Sequence, residues 1–312
     1  MSSRPAIREK DQPRAEKIRE QLLRFEGDHR ELRALRSEQV RTTFIAQIID
    51  SERRVGFISL LKSRPVSETA LTARGLSFDP LRGAILKARQ GEHDEACWLV
   101  FLSAHFARNR RTQWQLCGDF YNKLGAGEQW TWETVSRNPT AVSSWLDAYR
   151  DALRAEGGRF GNHRKYESLS GEATGYAIET YVDWVGRSHR SLYQSAAIRT
   201  ATPQERFGSL YRSMAQVSRF GRIGRFDYLT MLYKLDLADI VPDTCHLDSG
   251  ATGPKAGAKL LLYSTLEATV SVRELEADLT ALSTTLSTTP DVLEDALCNW
   301  QKSPSRYVFF AG

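Results

Sequence analysis

Cysteine is scarce in this chain of 312 residues, and long apolar runs are missing from it. The four cysteines, Cys97, Cys117, Cys245 and Cys298, form no CxxC pair and show no zinc-ligand spacing. That argues against a disulfide scaffold or zinc finger and fits reduced thiols in a cytoplasm. The opening residues, MSSRPAIREKDQPR, hold no apolar segment suited to secretion. The longest uninterrupted apolar run, Ala96–Leu102, is too short to cross a membrane. A soluble cytoplasmic protein is therefore expected. Strand-like alternation, internal repeats and low-complexity linkers are also absent, as are GxGxxG, GxxxxGKS or GxxxxGKT, GxSxG and HExxH. His93 and Cys97 stand four residues apart without further ligands nearby, so they read as core and boundary residues. No metal and no cofactor are expected.

What remains is helical periodicity. An apolar share of 41% with 10% aromatics is that of a globular protein. After a polar start of about 14 residues, expected to fray, Ile18, Leu22, Phe25, Leu32 and Leu35 recur at helical steps among mixed charges. Arg41 to Lys62 continues the pattern with Phe44, Ile45, Ile48 and Ile49. Asp79-Pro80 reads as a helix cap followed by a first-turn proline. Asp94 to Phe106 is apolar nearly all round and predicts a central buried helix. Trp114, Trp130, Trp132 and Trp145 read as core aromatics rather than base-stacking faces. Pro290 opens a last helix, and Tyr307-Val308-Phe309-Phe310 is too apolar to dangle. The expected fold is an all-α globule, with residues 1–40 as an N-terminal helical extension and 41–312 as one all-α domain.

Charge is distributed unevenly. The net charge is +5, yet Arg199 to Arg225 alone holds six arginines against Glu205 and contains no lysine. This concentration points to a polyanionic partner, with phosphate leading. Within it, Arg219, Gly221, Arg222, Gly224 and Arg225 form a glycine turn before an apolar helical run. Glycines let a backbone approach phosphate, and a following helix aims its N–H groups at an anion. The stretch closes on Asp243, Thr244, Cys245, His246, Asp248 and Ser249. A second landmark is Arg159-Phe160-Gly161-Asn162-His163-Arg164-Lys165-Tyr166-Glu167, a polar loop entered through glycines and rich in groups that contact phosphates or bases.

FDPLRGAILKARQGEHDEACWLVFLSAHFARN (78–109) and RFGNHRKYES (159–168), followed by YVDWV, resemble the alpha-glutamyl/putrescinyl thymine pyrophosphorylases, within them clade 3. The likeness spans roughly residues 41 to 262. It implies an all-helical fold similar to helix-hairpin-helix DNA glycosylases and work in the hypermodification of thymine-derived bases in DNA. The implied substrate is a 5-hydroxymethyl-pyrimidine already pyrophosphorylated on its hydroxyl. An amine, from an amino acid or a polyamine, displaces the pyrophosphate. A hydroxymethyl-pyrimidine kinase partner would supply that substrate. In such hairpins a glycine turn grips a DNA phosphate and a catalytic aspartate lies about twenty residues on; here Asp243 and Asp248 follow Gly224. Arg222 stands where the first glycine usually is, and the usual preceding proline is missing.

That chemistry makes three demands. The leaving group needs cations, for which Arg164, Lys165, Arg219, Arg222 and Arg225 are candidates. The amine must lose a proton, for which Asp248, Asp243, His246 and His163 are candidates, with Asp248 slightly preferred. The base must leave the stack for an aromatic-lined pocket, where Tyr166, Tyr193 and Phe226 offer faces beside Asn162. Cys245 offers a nucleophilic alternative through addition to the ring. The loop and the DTCHLDSG segment are expected to face one cleft, with glycines 161 and 250 as hinges. The rival readings are a DNA-binding protein without the chemistry and a base-excising glycosylase.

Overall fold

The computed structural model describes residues 7–72, 77–199, 202–248 and 250–310, with the side chains of 196–199 left aside; Ser249 and the Arg199 side chain thus lie outside the described residues. Helices account for 68% of the chain, and among the described residues there are fifteen of them and no strand. They are α1 Gln12–Asp28, α2 Glu38–Ser63, α3 Thr69–Thr72, α4 Pro80–Arg89, α5 His93–Phe106, α6 Gln115–Tyr121, α7 Trp132–Arg137 and α8 Thr140–Ala155. Then follow α9 Tyr176–Val185, α10 His189–Arg199, α11 Pro203–Ser213, α12 Arg222–Lys234, α13 Thr252–Tyr263, α14 Val272–Thr285 and α15 Pro290–Trp300. The fold is all-α, and no helix of the described residues is long and apolar enough to cross a membrane.

The chain groups into two units, one of residues 1–59 with 242–312 and one of residues 60–241. In the first, the stripe Ile18, Leu22 and Phe25 of α1 is fully buried with Phe44, Ile45 and Ile48 of α2. The same core takes Leu275, Leu279 and Leu282 of α14 and Leu297 and Trp300 of α15. Phe44 meets the edge of Trp300 at 5.1 Å. α13 comes so near α15 that a Cβ on Gly257 would lie 2.5 Å from the Leu297 carbonyl oxygen, which leaves room for glycine alone. Order starts earlier than the polar composition implies. A 3-10 turn at Glu9–Asp11 leads into α1, whose proline sits in its first turn, and Asp11 pairs with Arg53. The C-terminal segment tucks in through its backbone and a phenol. Val308 accepts from Gln47 at 2.7 Å, Phe310 accepts from Arg54 at 3.1 Å, and the Tyr307 hydroxyl donates to Asp50, while the Phe309 ring stays exposed.

The second unit is built around α5, buried from Glu95 to Phe106 as its all-round apolarity predicts. Asp79 caps α4 as read, accepting from the N–H groups of Leu81 (3.0 Å) and Arg82 (3.1 Å), with Pro80 in the first turn. Phe101 of α5 stacks on Tyr181 of α9 at 3.7 Å and on Phe220 at 4.7 Å. Trp98 donates its indole N–H to the Trp130 carbonyl at 2.6 Å. Trp130 and Trp132 are buried with it, so these tryptophans serve packing. α12 packs along α5, with Phe220 near its C-terminal end and Leu237 accepting from the His93 ring at its N-terminal end. Across the lower part of that packing, α11 and α12 meet through the 214–221 turn.

Candidate nucleic-acid interface and active site

The loop that carries FGNHRKYE is pinned to the C-terminal end of α5. Gly161 donates its N–H to the Phe106 carbonyl at 2.8 Å. A Cβ on Gly161 would stand 2.6 Å from the Ala107 Cβ and 2.9 Å from the Arg108 oxygen. The glycine is required for this close approach, and its backbone is extended, with φ −64° and ψ 166°. One 3-10 turn, Asn162–Arg164, then sets the side chains.

Arg164 points inward. Only 7% exposed, it donates through Nε to the His105 carbonyl (3.0 Å), through Nη2 to His105 Nδ1 (3.2 Å) and through Nη1 to the Arg219 carbonyl (2.9 Å). The guanidinium lies over the Phe220 ring at 5.1 Å and beside Glu167 at 3.4 Å. Because an arginine cannot accept, the fully buried His105 must carry its proton on Nε2. That N–H donates to Thr174 Oγ1 (3.1 Å), whose hydroxyl donates to the Ser168 carbonyl (2.6 Å). Burial, then the charges of Arg164 and Arg219, hold the His105 imidazole well below its ordinary value, so it is neutral. Both ends of the loop are thereby fixed, and Glu167 reaches Arg219 at 3.5 Å.

The partner of the loop is the glycine turn before α12. Arg219 adopts φ +60°, an uncommon conformation for a side chain-bearing residue, and it turns its carbonyl to Arg164. Gly221 caps α12 without a side-chain bond, and a Cβ there would meet nothing within 4 Å. The turn's backbone is open to a ligand at that point. Gly224 differs, since a Cβ there would press on Phe220 at 3.1 Å and face Arg164 Nη1 at 3.5 Å.

Together the loop and turn expose Asn162, His163, Lys165, Tyr166, Arg219 and Gly221. Tyr166 is 88% exposed with the Lys165 ammonium 4.9 Å from its ring centre. Two arginines of the motif are committed elsewhere. Arg222 is buried with its guanidinium 4.9 Å from the Phe226 ring. Arg225 is half-buried, donating to the Tyr211 carbonyl at 3.1 Å and lying 4.2 Å from that ring. Arg206 is tied to Asp239. Phe226 is buried and so offers no open face.

Asp227, one turn after Gly224, belongs to this cluster, although the sequence reading passed over it. The residue is exposed yet stands in dense surroundings. That crowding raises its carboxyl above the ordinary range, against the pull of His163, Arg222, Lys234 and Arg164. An accessible carboxylate whose proton affinity is raised by desolvation and tempered by cations is a common trait of reacting groups. The signal in sequence was its place at i+3 from Gly224 on the face of Lys234.

The DTCHLDSG segment lies in the other unit and is built separately. Asp243 Oδ1 and His246 Nε2 are 2.7 Å apart, with His246 at φ +50°. Glu276 of α14 accepts from the N–H groups of Cys245 (3.0 Å) and Leu247, which shapes the turn; burial raises its carboxyl. Cys245 is buried with Sγ 3.4 Å from the Pro290 carbonyl, in the core rather than at a surface. Asp248 is half-buried, and its carbonyl accepts from Ala251 at 3.1 Å. Gly250 has φ +98°, a conformation that suits glycine. Asp243 and His246, two of the candidate bases read from the sequence, stand together, whereas Arg164 and Arg222, read there as cations for a leaving group, turn inward.

Among the described residues, no group of three or more His, Cys, Asp or Glu side chains gathers in a way that would hold a metal ion. No curated protein and no solved structure matches the chain. The family model described as alpha-glutamyl/putrescinyl thymine pyrophosphorylase clade 3 matches residues 39–312, which carry both the FGNHRKYE loop and the glycine turn, and the chain belongs to that family.

Proposed function

We propose that this protein hypermodifies DNA by displacing pyrophosphate from a 5-(pyrophosphoryloxymethyl)pyrimidine with an amine. The family supports the coarser part, a pyrophosphorylase-like role in thymine hypermodification. The observation that carries the finer part is the fastening of the loop to the glycine turn by buried Arg164. One platform thereby presents cations, an open helix start, an exposed aromatic ring and a carboxylate.

Each part meets a demand of the reaction. The amine nitrogen attacks the exocyclic CH₂; a C–N bond forms as the C–O bond breaks and pyrophosphate departs with the electron pair. Lys165, Arg219 and the N–H groups behind Gly221 receive phosphate oxygens, where preorganised donors matter most. Tyr166 stacks on a base, with Lys165 reinforcing its face. Asp227 takes the proton from the attacking amine, and His163 beside it, when protonated, gives a proton to the departing oxygen. A second reading of the base is favoured by the 2.7 Å Asp243–His246 pair, which has the geometry of an oriented imidazole. A kinase acting on hydroxymethyl-pyrimidine would supply the pyrophosphorylated substrate, and an amino acid or a polyamine the nitrogen.

The test is to incubate the protein with duplex DNA carrying the pyrophosphorylated base and a mixture of amines, then digest to nucleosides for mass spectrometry. An amine-bearing thymidine with equimolar pyrophosphate supports the reading. An abasic site would assign base excision, and intact DNA would leave a binding protein.

A further inference from the structure

Glu167 ends the FGNHRKYE loop, and its backbone N–H donates to the Arg164 carbonyl at 2.9 Å. Its carboxylate lies between two guanidinium groups and is only 14% exposed. Oε1 stands 3.4 Å from Arg164 Nη2, and Oε2 stands 3.5 Å from Arg219 Nη1. Both contacts are long. Oε2 is shielded from solvent and has no hydrogen-bond partner among the described residues. Arg219 is therefore held by Coulomb attraction without a bond, which is the weaker form of an ion pair.

The two arginines that share this carboxylate differ in freedom. Arg164 is buried and anchored by three donated bonds. Arg219 is anchored through its carbonyl, which accepts from Arg164, while its head is 42% exposed. The head can swing away without disturbing the turn. Its departure does not strand Glu167, because Arg164 stays 3.4 Å from that carboxylate, and a buried charge left alone is what makes a broken pair costly. Departure also relieves a repulsion. Burial lowers the proton affinity of the Arg164 guanidinium; Glu167 opposes that most among its charged neighbours, and Arg219 adds to it. A phosphate oxygen offers Arg219 a short, charge-assisted hydrogen bond that Glu167 does not supply. Gly221, two residues on, opens the N–H groups of α12 to such an oxyanion.

We propose that Glu167 is a placeholder for phosphate: it holds the Arg219 head between ligands and yields it when an oxyanion reaches the turn before α12. Glu167 is thus a positioning residue that competes with the ligand, and its removal strengthens binding instead of weakening it. The inference rests on phosphate binding at the Lys165–Arg219 platform and concerns how that site is regulated. A DNA phosphodiester and the departing pyrophosphate share the required chemistry.

The experiment titrates the full chain at low salt with a short unmodified DNA duplex and, separately, with inorganic pyrophosphate. Glu167→Gln keeps the shape of the side chain and removes its charge. It should tighten binding of at least one ligand by about threefold, within what a partly exposed ion pair is worth. Placed on Arg219→Gln, the same substitution should bring no gain, because the competition needs both residues. Glu167→Asp keeps the charge but falls one methylene short of Arg219, and it should also tighten binding; it carries the test where thermal midpoints show Glu167→Gln unfolded. A gain with DNA alone assigns the phosphodiester to Arg219, and a gain with pyrophosphate alone assigns the leaving group. Unchanged or weaker binding by folded variants overturns the inference, while binding by the wild-type chain leaves the DNA reading standing. A gain that persists without Arg219 also overturns it, since loss of a nearby negative charge would then suffice. If neither the wild-type chain nor any variant binds either ligand, phosphate recognition at the platform fails and the inference falls with it.

Discussion

Arg164 Nη1 donates to the Arg219 carbonyl at 2.9 Å, joining two segments fifty-five residues apart. In sequence both arginines belong to charged stretches that suit phosphate. In the structure one holds the other's backbone, and Arg219, which reaches Glu167 at 3.5 Å, keeps its head at the surface. Replacing Arg164 should therefore act on order before it acts on DNA. Arg164→Ala removes one partner of a buried, charge-assisted set, which costs about 3–5 kcal/mol; Arg164→Lys should fall between, since an ammonium lacks the fork. Thermal unfolding and amide exchange of residues 161–168 and 218–222 read this out. An unchanged midpoint with unchanged exchange contradicts the fastening role.

Exposed cations should set the salt dependence of DNA binding. Each phosphate contact contributes a slope of about 0.9 in log affinity against log salt. The double variant Lys165→Gln, Arg219→Gln should lower the slope by roughly two contacts, on the order of 1.8. Arg222→Gln should leave the slope alone, because that guanidinium is buried against Phe226. Equal slopes for wild type and double variant would place the phosphate contacts elsewhere.

Tyr166 makes a separable contribution. Stacking of a base on an exposed ring is worth about 1–3 kcal/mol by alanine substitution and carries little salt dependence. Tyr166→Ala should weaken DNA binding by that amount at every salt concentration, whereas Tyr166→Phe should retain most of it. A loss that vanishes at high salt would mean that the ring only positions Lys165.

Protonation of two buried imidazoles should set the acid limit of folding. His105 and His189 are neutral in the folded chain, each held by burial below the ordinary value of 6.5. Below that pH the unfolded chain binds more protons, so stability falls as pH drops. Each histidine removes about 1.4 kcal/mol per pH unit until its own depressed pKa is reached. Asp94, drawn below the ordinary carboxylate range by His189 despite the opposing effect of burial, gives up its share only at lower pH. Glu95 and Glu276, whose carboxyls burial raises, act in the opposite direction, so denaturant titrations between about pH 7 and 5 compare the wild-type chain with His105→Gln; a slope that the substitution leaves unchanged would contradict a neutral, buried His105.

Much of the fold was legible because helices announce themselves locally. Asp79 and Pro80 mark a start within two residues, and the all-round apolarity of Ala96–Leu102 needs only seven. The family was legible in the loop string itself. Inward-facing arginines were not, because their burial depends on acceptors far along the chain, such as the carbonyls of His105 and Arg219. Asp227 was not legible for the same reason: its raised proton affinity comes from crowding that no short window displays, opposed by His163, sixty-four positions earlier. The Asp243–His246 pair was within reach of the reading because it spans a single turn.

The central claim is amine transfer at the base, and the most direct measurement is single-turnover product analysis on pyrophosphorylated DNA with the wild-type chain and Asp227→Asn, Asp243→Asn and Asp248→Asn. The account predicts that the wild-type chain yields an amine-bearing thymidine and one pyrophosphate. Asp227→Asn should lose at least about a hundredfold in rate, in line with removal of a general base, while binding DNA normally. Asp243→Asn tests the second assignment of the base, and Asp248→Asn should transfer at close to the wild-type rate. Abasic DNA from the wild-type chain, or no covalent change with any amine, would contradict the account.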